Sequence, residues 1–421
     1  MYETYELLPG ITLRYVCARR FKQGCLSIQL LRPMHRSEAA TNALLPAVLL
    51  RGSRSHPDLK KITQQLDDLY GASVGTLVRR IGDYQSTGFY CGFIEDRFAL
   101  SGDEILVPML RFVFELLLEP VTVDGGFDPD YVESEKRNLI AAIESELADK
   151  RAYAASQLLK IMGKDDSFGI PRLGEKEDVA AITPGDAYRH YRRILEESPM
   201  EIFYVGSAPA QQIAHILTEI LRPLKRNCRP LPPQTAFRAA EKQEAEQTMD
   251  VAQGKLNMGF ITEITNRDPR FAAMQMLSAV FGSGMTSKLF MQVREKMSLC
   301  YAIGSGYYGS KGLLTVSAGI DFDKKQAVWD EVMRQLDACR EGHITENELT
   351  AARESILSGL RSVYDSPGAI EGFASTGAIS GLNRTPETYA DEIRAVTVED
   401  VAAAARTLSY HSTFFLKGGA Q

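Results

Sequence analysis

Two similar α+β domains in tandem, each a mostly antiparallel sheet with helices packed on one face, joined as a clam-shell, are the fold this sequence predicts. Three observations carry that expectation. At 421 residues the chain is too long for one ordinary domain, and two of roughly 200 residues are the default. Motifs of the first half return in the same order in the second. Each half also alternates between period-two hydrophobicity and helical periodicity, as strands and helices of one layered domain do. The predicted domains are residues 1–225 and 248–421, with a linker at 226–247.

The repeat is clearest at the end of each half. "ITPGDAYRHYRRILEESPMEIFYVGSA" (182–208) and "VTVEDVAAAARTLSYHSTFFLKGGA" (396–420) both run from a threonine through an amphipathic helix into a short apolar strand. The strands end at Gly206 and Gly418. Thr183 with Asp186, and Thr397 with Asp400, have the spacing of a helix-capping pair. Earlier in each half, "NALLPAVLLRGS" and "QQLDDLYGASVGTLVRR" correspond to "QMLSAVFGSGM" and "VREKMSLCYAIGSGYY", which puts Tyr70 and Tyr301 in comparable places. An alternating strand follows in both, "STGFYCGFI" at 86–94 and "LLTVSAGID" at 313–321. Between the halves, Pro230, Pro232 and Pro233 stiffen a charged segment that reads as an exposed linker.

Composition narrows the function. The chain is 44% hydrophobic and 24% charged with a net charge of −6, which gives no electrostatic reason for a nucleic-acid or anionic-membrane partner. No apolar run approaches the ~20 residues of a spanning helix. "RFVFELLLEPVTV" comes nearest and is interrupted by Glu115, Glu119 and Pro120. The N-terminus is acidic where a secretory signal would be basic. Six scattered cysteines without a C-x-x-C pair read as reduced thiols of a cytoplasmic protein.

Several chemistries lack their residues. The histidines, at 35, 56, 190, 215, 343 and 411, include no pair at helical spacing for zinc. "FGSGMTSK" has Gly-x-Gly and a lysine but not the rest of a phosphate loop. The acidic helix around Glu133, Glu135, Glu144, Glu146 and Asp149 reads as a solvated face, with Glu133/Arg137 and Glu146/Lys150 at i, i+4. Trp329 and the pair Tyr307–Tyr308 read as packing residues. An independent hydrolase site around His56 and Asp58 is a weaker reading than a loop and helix cap in "SHPDLKK".

The two α+β halves, the proline-containing linker and "FGSGMTSKLFMQVREKMSLCYAIGSGYY" together resemble the insulinase/pitrilysin-type zinc metallopeptidases, a family that includes the mitochondrial processing peptidase subunits. The resemblance covers nearly the whole chain. It implies a His-x-x-Glu-His zinc helix in the first half, ending in Gly-Ser or Gly-Thr. Registered on Gly52–Ser53, the two ligand positions fall on Ala43 and Ala47 and the general base on Pro46. The third ligand position, counted from the Glu135–Lys136 lead-in, falls at Ala142. None offers a donor atom, and Glu144 nearby would not hold the metal alone. The first half therefore resembles the family fold with its zinc site removed.

The second half keeps what the resemblance assigns to it. An Arg and a Tyr seven residues apart reach the zinc site of the first half in the family, and Arg294 and Tyr301 match both residues and spacing. A guanidinium fork and a phenol suit the tasks of holding a substrate backbone and stabilising an oxyanion. The resemblance thus implies a non-catalytic subunit of a heterodimeric zinc peptidase. It would supply Arg294 and Tyr301 to a homologous His-x-x-Glu-His partner, with zinc in the partner and no cofactor in this chain. The loop Gly282, Ser283 and Gly284 would line a chamber for unfolded peptide substrate. A zinc-less peptide-binding or scaffold protein is the alternative, and a homodimer of the isolated chain is compatible with both. A zinc-less bacterial branch of this family, associated with the 5-aminopentanol modification of elongation factor P, is similar in layout.

Overall fold

A computed structural model describes residues 1–419. The chain divides into two compact units, and neither is continuous in sequence. Unit 1 comprises Met1–Glu144, Pro171–Pro233 and Tyr364–Ile379; unit 2 comprises Ser145–Ile170, Gln234–Val363 and the chain from Ser380 onward.

Unit 1 opens with strands β1 (Glu3–Leu8), β2 (Ile11–Cys17) and β3 (Gln23–Pro33). Helices α1 (Arg36–Leu49) and α2 (Leu59–Asp68) lead to β4 (Ser73–Ile81) and β5 (Tyr84–Ile94). Then come α3 (Leu106–Leu118), a two-strand ribbon of β6 (Thr122–Val123) and β7 (Gly126–Phe127), and α4 (Pro129–Ala148). The next helix, α5 (Lys150–Met162), belongs to unit 2. Helices α6 (Lys176–Ala181) and α7 (Pro184–Glu197), strand β8 (Met200–Gly206) and helix α8 (Ala210–Leu221) complete this half. Its sheet runs β1-β2-β8-β3-β5-β4, antiparallel except for β2 with β8. Thr183 caps α7 by accepting the Asp186 N–H at 3.1 Å, as the repeat predicts.

Unit 2 contains β9 (Glu244–Met249), β10 (Gly254–Ile261), α9 (Phe271–Phe281) and a π-helical turn at Leu289–Lys296. Strands β11 (Ala302–Tyr308) and β12 (Leu313–Ile320) precede α10 (Lys325–Arg340) and α11 (Glu346–Ser362). Helix α12 (Pro367–Ile379) joins unit 1, and α13 (Pro386–Ala395), α14 (Val398–Thr407) and β13 (Ser409–Gly418) close the chain. The sheet order is β11-β12-β10-β13-β9, with β13 and β9 parallel. Thr397 and Asp400 form a full capping box on α14. The last residues expected in the linker are β9, whose burial alternates as an edge strand's does.

In each unit helices cover one sheet face, and a helix from the other half of the sequence covers part of the second. In unit 1, α12 lies on β3 and β8, and Ile370 packs among Val16, Cys25 and Val205. The side chain of Glu371, wholly buried, accepts from Ser27 Oγ (2.6 Å), Gln29 Nε2 (2.9 Å) and both Arg79 Nη atoms (3.0 and 2.9 Å). In unit 2, α5 puts Ala154, Leu158 and Met162 into a cluster with Leu313, Phe414 and Leu416. Gly259 is the reason α5 can approach so closely, because a Cβ there would lie 2.1 Å from Met162 Sδ. Lys311 and Asp166 form a buried ion pair in the same unit at 3.1 Å.

Smaller expectations resolve as follows. Glu133 pairs with Lys136 at 2.8 Å, three residues on, not with Arg137. Trp329 stacks edge-on against Tyr410, and Tyr307 donates its hydroxyl to the Ile264 carbonyl, so both are packing residues. No described helix is long and apolar enough to cross a membrane.

Candidate functional site

Arg294 lies near the end of the π-helical turn and Tyr301 immediately before β11, the edge strand of its sheet. The turn between them passes through Ser298 at φ +49°, a conformation that costs a non-glycine residue energy. The Ser298 N–H bonds the Arg294 carbonyl and the Leu299 N–H bonds that of Val293, which ends the helix and starts the strand. The Tyr301 N–H then donates to the Gly319 carbonyl at 2.9 Å, fixing the side chain at the sheet rim.

Neither side chain is used up in packing. Arg294 is 42% exposed, lies over the Phe290 ring at 4.6 Å and approaches the Glu295 carboxylate at 3.6 Å. Tyr301 is 62% exposed. Its hydroxyl donates to Asp321 Oδ1 at 3.0 Å, and Asp321 in turn pairs with Lys324 at 2.8 Å. The Asp321 hydrogen bond holds the phenol above its ordinary range, so Tyr301 is a neutral donor near pH 7. Asp321 is the partner that sequence reasoning missed. It lies twenty residues on, and only the pairing of Ala302 with Gly319 brings it to Tyr301.

The glycine–serine loop is anchored at its start. The Ser305 N–H donates to the Gly282 carbonyl at 3.0 Å, and Ser283 Oγ donates to the Ser305 carbonyl at 2.8 Å. Gly284 has open space around it, and Met285 beside it is 77% exposed. Ser305 lies four residues along β11 from Tyr301, roughly 13 Å of strand.

In unit 1 the residues on which the sequence comparison sets the family's zinc positions carry no donor. Ala43 and Pro46 are buried on α1, Ala47 is half-buried, and Ala142 is exposed on α4. Helix α1 is instead held by a neutral hydrogen-bonded chain. His190 Nδ1 lies 2.7 Å from Arg193 Nη2, which can only donate, so the imidazole carries its proton on Nε2 and donates to Asn42 Oδ1 at 2.6 Å. Asn42 donates to Gln85 at 2.9 Å, and Gln85 donates to the carbonyls of Ala39 and Arg172. Burial, with the guanidinium of Arg193 nearby, pushes His190 down to about 4. Glu135 pairs with Arg51 and Glu144 with Lys176. Among the described residues no group of three or more His, Cys, Asp or Glu could hold a metal ion. The residues present do not fit zinc.

The surroundings of His56 are equally specific. Ser53 Oγ donates to Glu115 Oε1 at 2.6 Å, the same oxygen that His56 approaches at 3.4 Å, so the serine does not hand its proton to the imidazole. Asp58 caps α2 by accepting the Lys61 N–H. This is loop-tying geometry, not a nucleophile with its base.

The known proteins that this chain is similar to bear on both halves. The family described as "Peptidase M16 inactive domain" matches residues 181–356. A Bacillus subtilis protein described as "Probable inactive metalloprotease YmfF" is 29% identical over 409 residues, 97% of this chain and 96% of its own length. An uncharacterized zinc protease of Mycobacterium tuberculosis is 25% identical over 298 residues, 69% of this chain and 68% of its own. Among solved structures, a protein of Enterococcus faecalis superposes with a TM-score of 0.93 at 25% identity, covering 100% of this chain and 99% of that one. Matched at residues 181–356 by a family described as an inactive peptidase M16 domain, and similar end to end to a protein described as an inactive metalloprotease, the chain is similar to inactive members of the peptidase M16 family.

Proposed function

We propose that this chain is the non-catalytic subunit of a two-chain zinc peptidase, presenting Arg294 and Tyr301 to the zinc site of a homologous His-x-x-Glu-His partner. The observation that carries the reading is the contrast between the halves. Both donors stand exposed beside an edge strand, while Ala43, Pro46, Ala47 and Ala142 supply nothing for a metal. A scaffold has no need of an exposed arginine and a phenol oriented by a carboxylate at that spacing. In the complex, Arg294 would hold the substrate backbone and Tyr301 would give its hydroxyl to the developing oxyanion. Asp321, compensated by Lys324, orients the phenol until then. The substrate is an unfolded peptide entering past Gly282–Gly284, and the compartment is the cytoplasm.

Reconstitution with the partner tests this. Arg294→Ala and Tyr301→Phe should each lower turnover by about 10²–10³, the usual cost of one such donor, with the complex intact by gel filtration. Full turnover in both variants would leave the pair as surface residues and turn the reading to a peptide-binding protein without a proteolytic role.

A further inference from the structure

The second face of the unit 2 sheet holds a feature that the family reading does not use. Helix α5 lies on β13 and β10 and reaches little of β12. A cavity of about 350 Å³ remains there, lined by Arg151, Lys255, Asn257, Ser317, Gly304 and Gly306 among others. In register, Lys255 pairs with Gly319 and Gly319 with Ala302; one row on, Asn257 pairs with Ser317 and Ser317 with Gly304. The cationic end of the trough therefore adjoins the start of β11.

Packing does not demand the glycines in its floor. A Cβ at Gly304 would come no nearer than 3.4 Å to any neighbour, and one at Gly306 no nearer than 3.8 Å, which are ordinary contacts. Glycine inside a strand weakens it, and where no neighbour requires it, it marks a place another chain or ligand approaches the backbone.

The polar groups around the trough are donors in excess. Arg151 has no side-chain hydrogen bond or ion pair among the described residues. Lys255 donates to the Gln253 amide and has no carboxylate within ion-pair distance among the described residues. Asn257 is 1% exposed, accepts from Ser317 Oγ on Oδ1 at 2.5 Å, and has no partner for Nδ2. The nearest acid, Asp149, is engaged by the N–H groups of Arg151 and Ala152. Burial, with Arg151 close by, lowers the Lys255 ammonium, as expected of a cation short of a counter-charge.

We propose that this trough is a binding site for a carboxylate on an extended peptide, with Arg151 and Lys255 receiving the carboxylate, the Asn257 amide adding a donor, and the peptide backbone lying over Gly304 and Gly306. That the ligand is a peptide rests on the proposed function; that it carries a carboxylate rests on the trough alone. The carboxylate is either the chain terminus or an acidic side chain.

Titration of the isolated full chain, followed by NMR, separates these. The probes are N-acetyl-tetraalanine as the free acid, its C-terminal amide, and the amide with one alanine replaced by glutamate. The free acid or the glutamate peptide should bind about tenfold more tightly than the plain amide, and whichever does so identifies the source. Lys255→Gln and Arg151→Gln should remove the preference, Lys255→Arg should keep it, and Gly306→Val should weaken all three peptides by filling the floor. The isolated chain is titrated without a partner's zinc site and the readout is binding, not turnover, so failure of the peptidase reading is told apart from failure of this site. Equal binding of acid, glutamate peptide and amide, no shifts with any of them at millimolar peptide, or a preference that survives both glutamine variants overturns the proposal.

Discussion

Replacing Glu371 by alanine should free α12 from the sheet of unit 1. The carboxylate is fully buried and accepts four hydrogen bonds, from Ser27, Gln29 and twice from Arg79. Without it, Gln29 can still donate to Ser27 Oγ at 3.2 Å, but the Ser27 hydroxyl is left in the interior without its acceptor. One such orphaned group costs about 1–3 kcal/mol. Arg79, 35% exposed, can turn partly to water and adds less. The one methylene lost from the buried site, Cγ, adds about 1 kcal/mol. The total is about 2–5 kcal/mol, which overlaps the range for breaking a buried ion pair from one side. Glu371→Gln keeps the shape and one acceptor oxygen, and should cost about 1–2 kcal/mol. Because two units need not unfold together, the assay is hydrogen exchange of the 364–379 segment by mass spectrometry, read as a local opening free energy. Equal protection of that segment in wild type and Glu371→Ala would refute the reasoning, as would equal loss in the alanine and glutamine variants.

Other expectations follow from the same structure. His190 stays neutral in the folded protein down to about pH 4, whereas an unfolded histidine takes up a proton near 6.5. The unfolded state therefore binds more protons between those values, and this contribution is present in full above pH 6.5 and lost as the pH falls toward 4, on the order of 3 kcal/mol at most; His190→Gln should flatten the urea-midpoint slope in that window relative to wild type. Asp166 is 2% exposed in its side chain, faces Lys311 at 0%, and also accepts from the N–H groups of Phe168 and Arg238. Asp166→Ala should destabilise unit 2 by about 3–5 kcal/mol, while the double variant Asp166→Leu/Lys311→Met should recover most of it in thermal melts. Arg294→Ala and Tyr301→Phe alter exposed side chains and should shift stability by less than about 0.5 kcal/mol, so a large melting shift in either would give these residues a structural role.

Much of this fold was legible because its signals are local. The threonine caps at 183 and 397 and the alternating strands at 86–94 and 313–321 depend on residues a few positions apart, and each stands where its pattern places it. The partners of α5 and α12 were not legible. Periodicity shows that a helix buries one side but not which sheet receives it, and the features that decide the matter, Gly259 for α5 and Ser27 with Gln29 for Glu371, lie about 100 and 340 residues away in sequence. Asp321 could not be paired with Tyr301 until the register of β11 on β12 was known. The anchoring of Gly282 and Ser283 was hidden for the same reason, since their partner Ser305 sits across a strand junction and "FGSG" by itself signals only conformational freedom.

The central claim is that Arg294 and Tyr301 complete another chain's zinc site. The most direct test is to recover the tagged chain from its native cells and identify by mass spectrometry what comes with it. The account predicts a homologous chain bearing His-x-x-Glu-His at about one to one, with zinc and peptidase activity travelling with the pair and absent from the tagged chain alone. Recovery of the tagged chain only with itself or with unrelated proteins, or zinc and activity in the isolated chain, would contradict it.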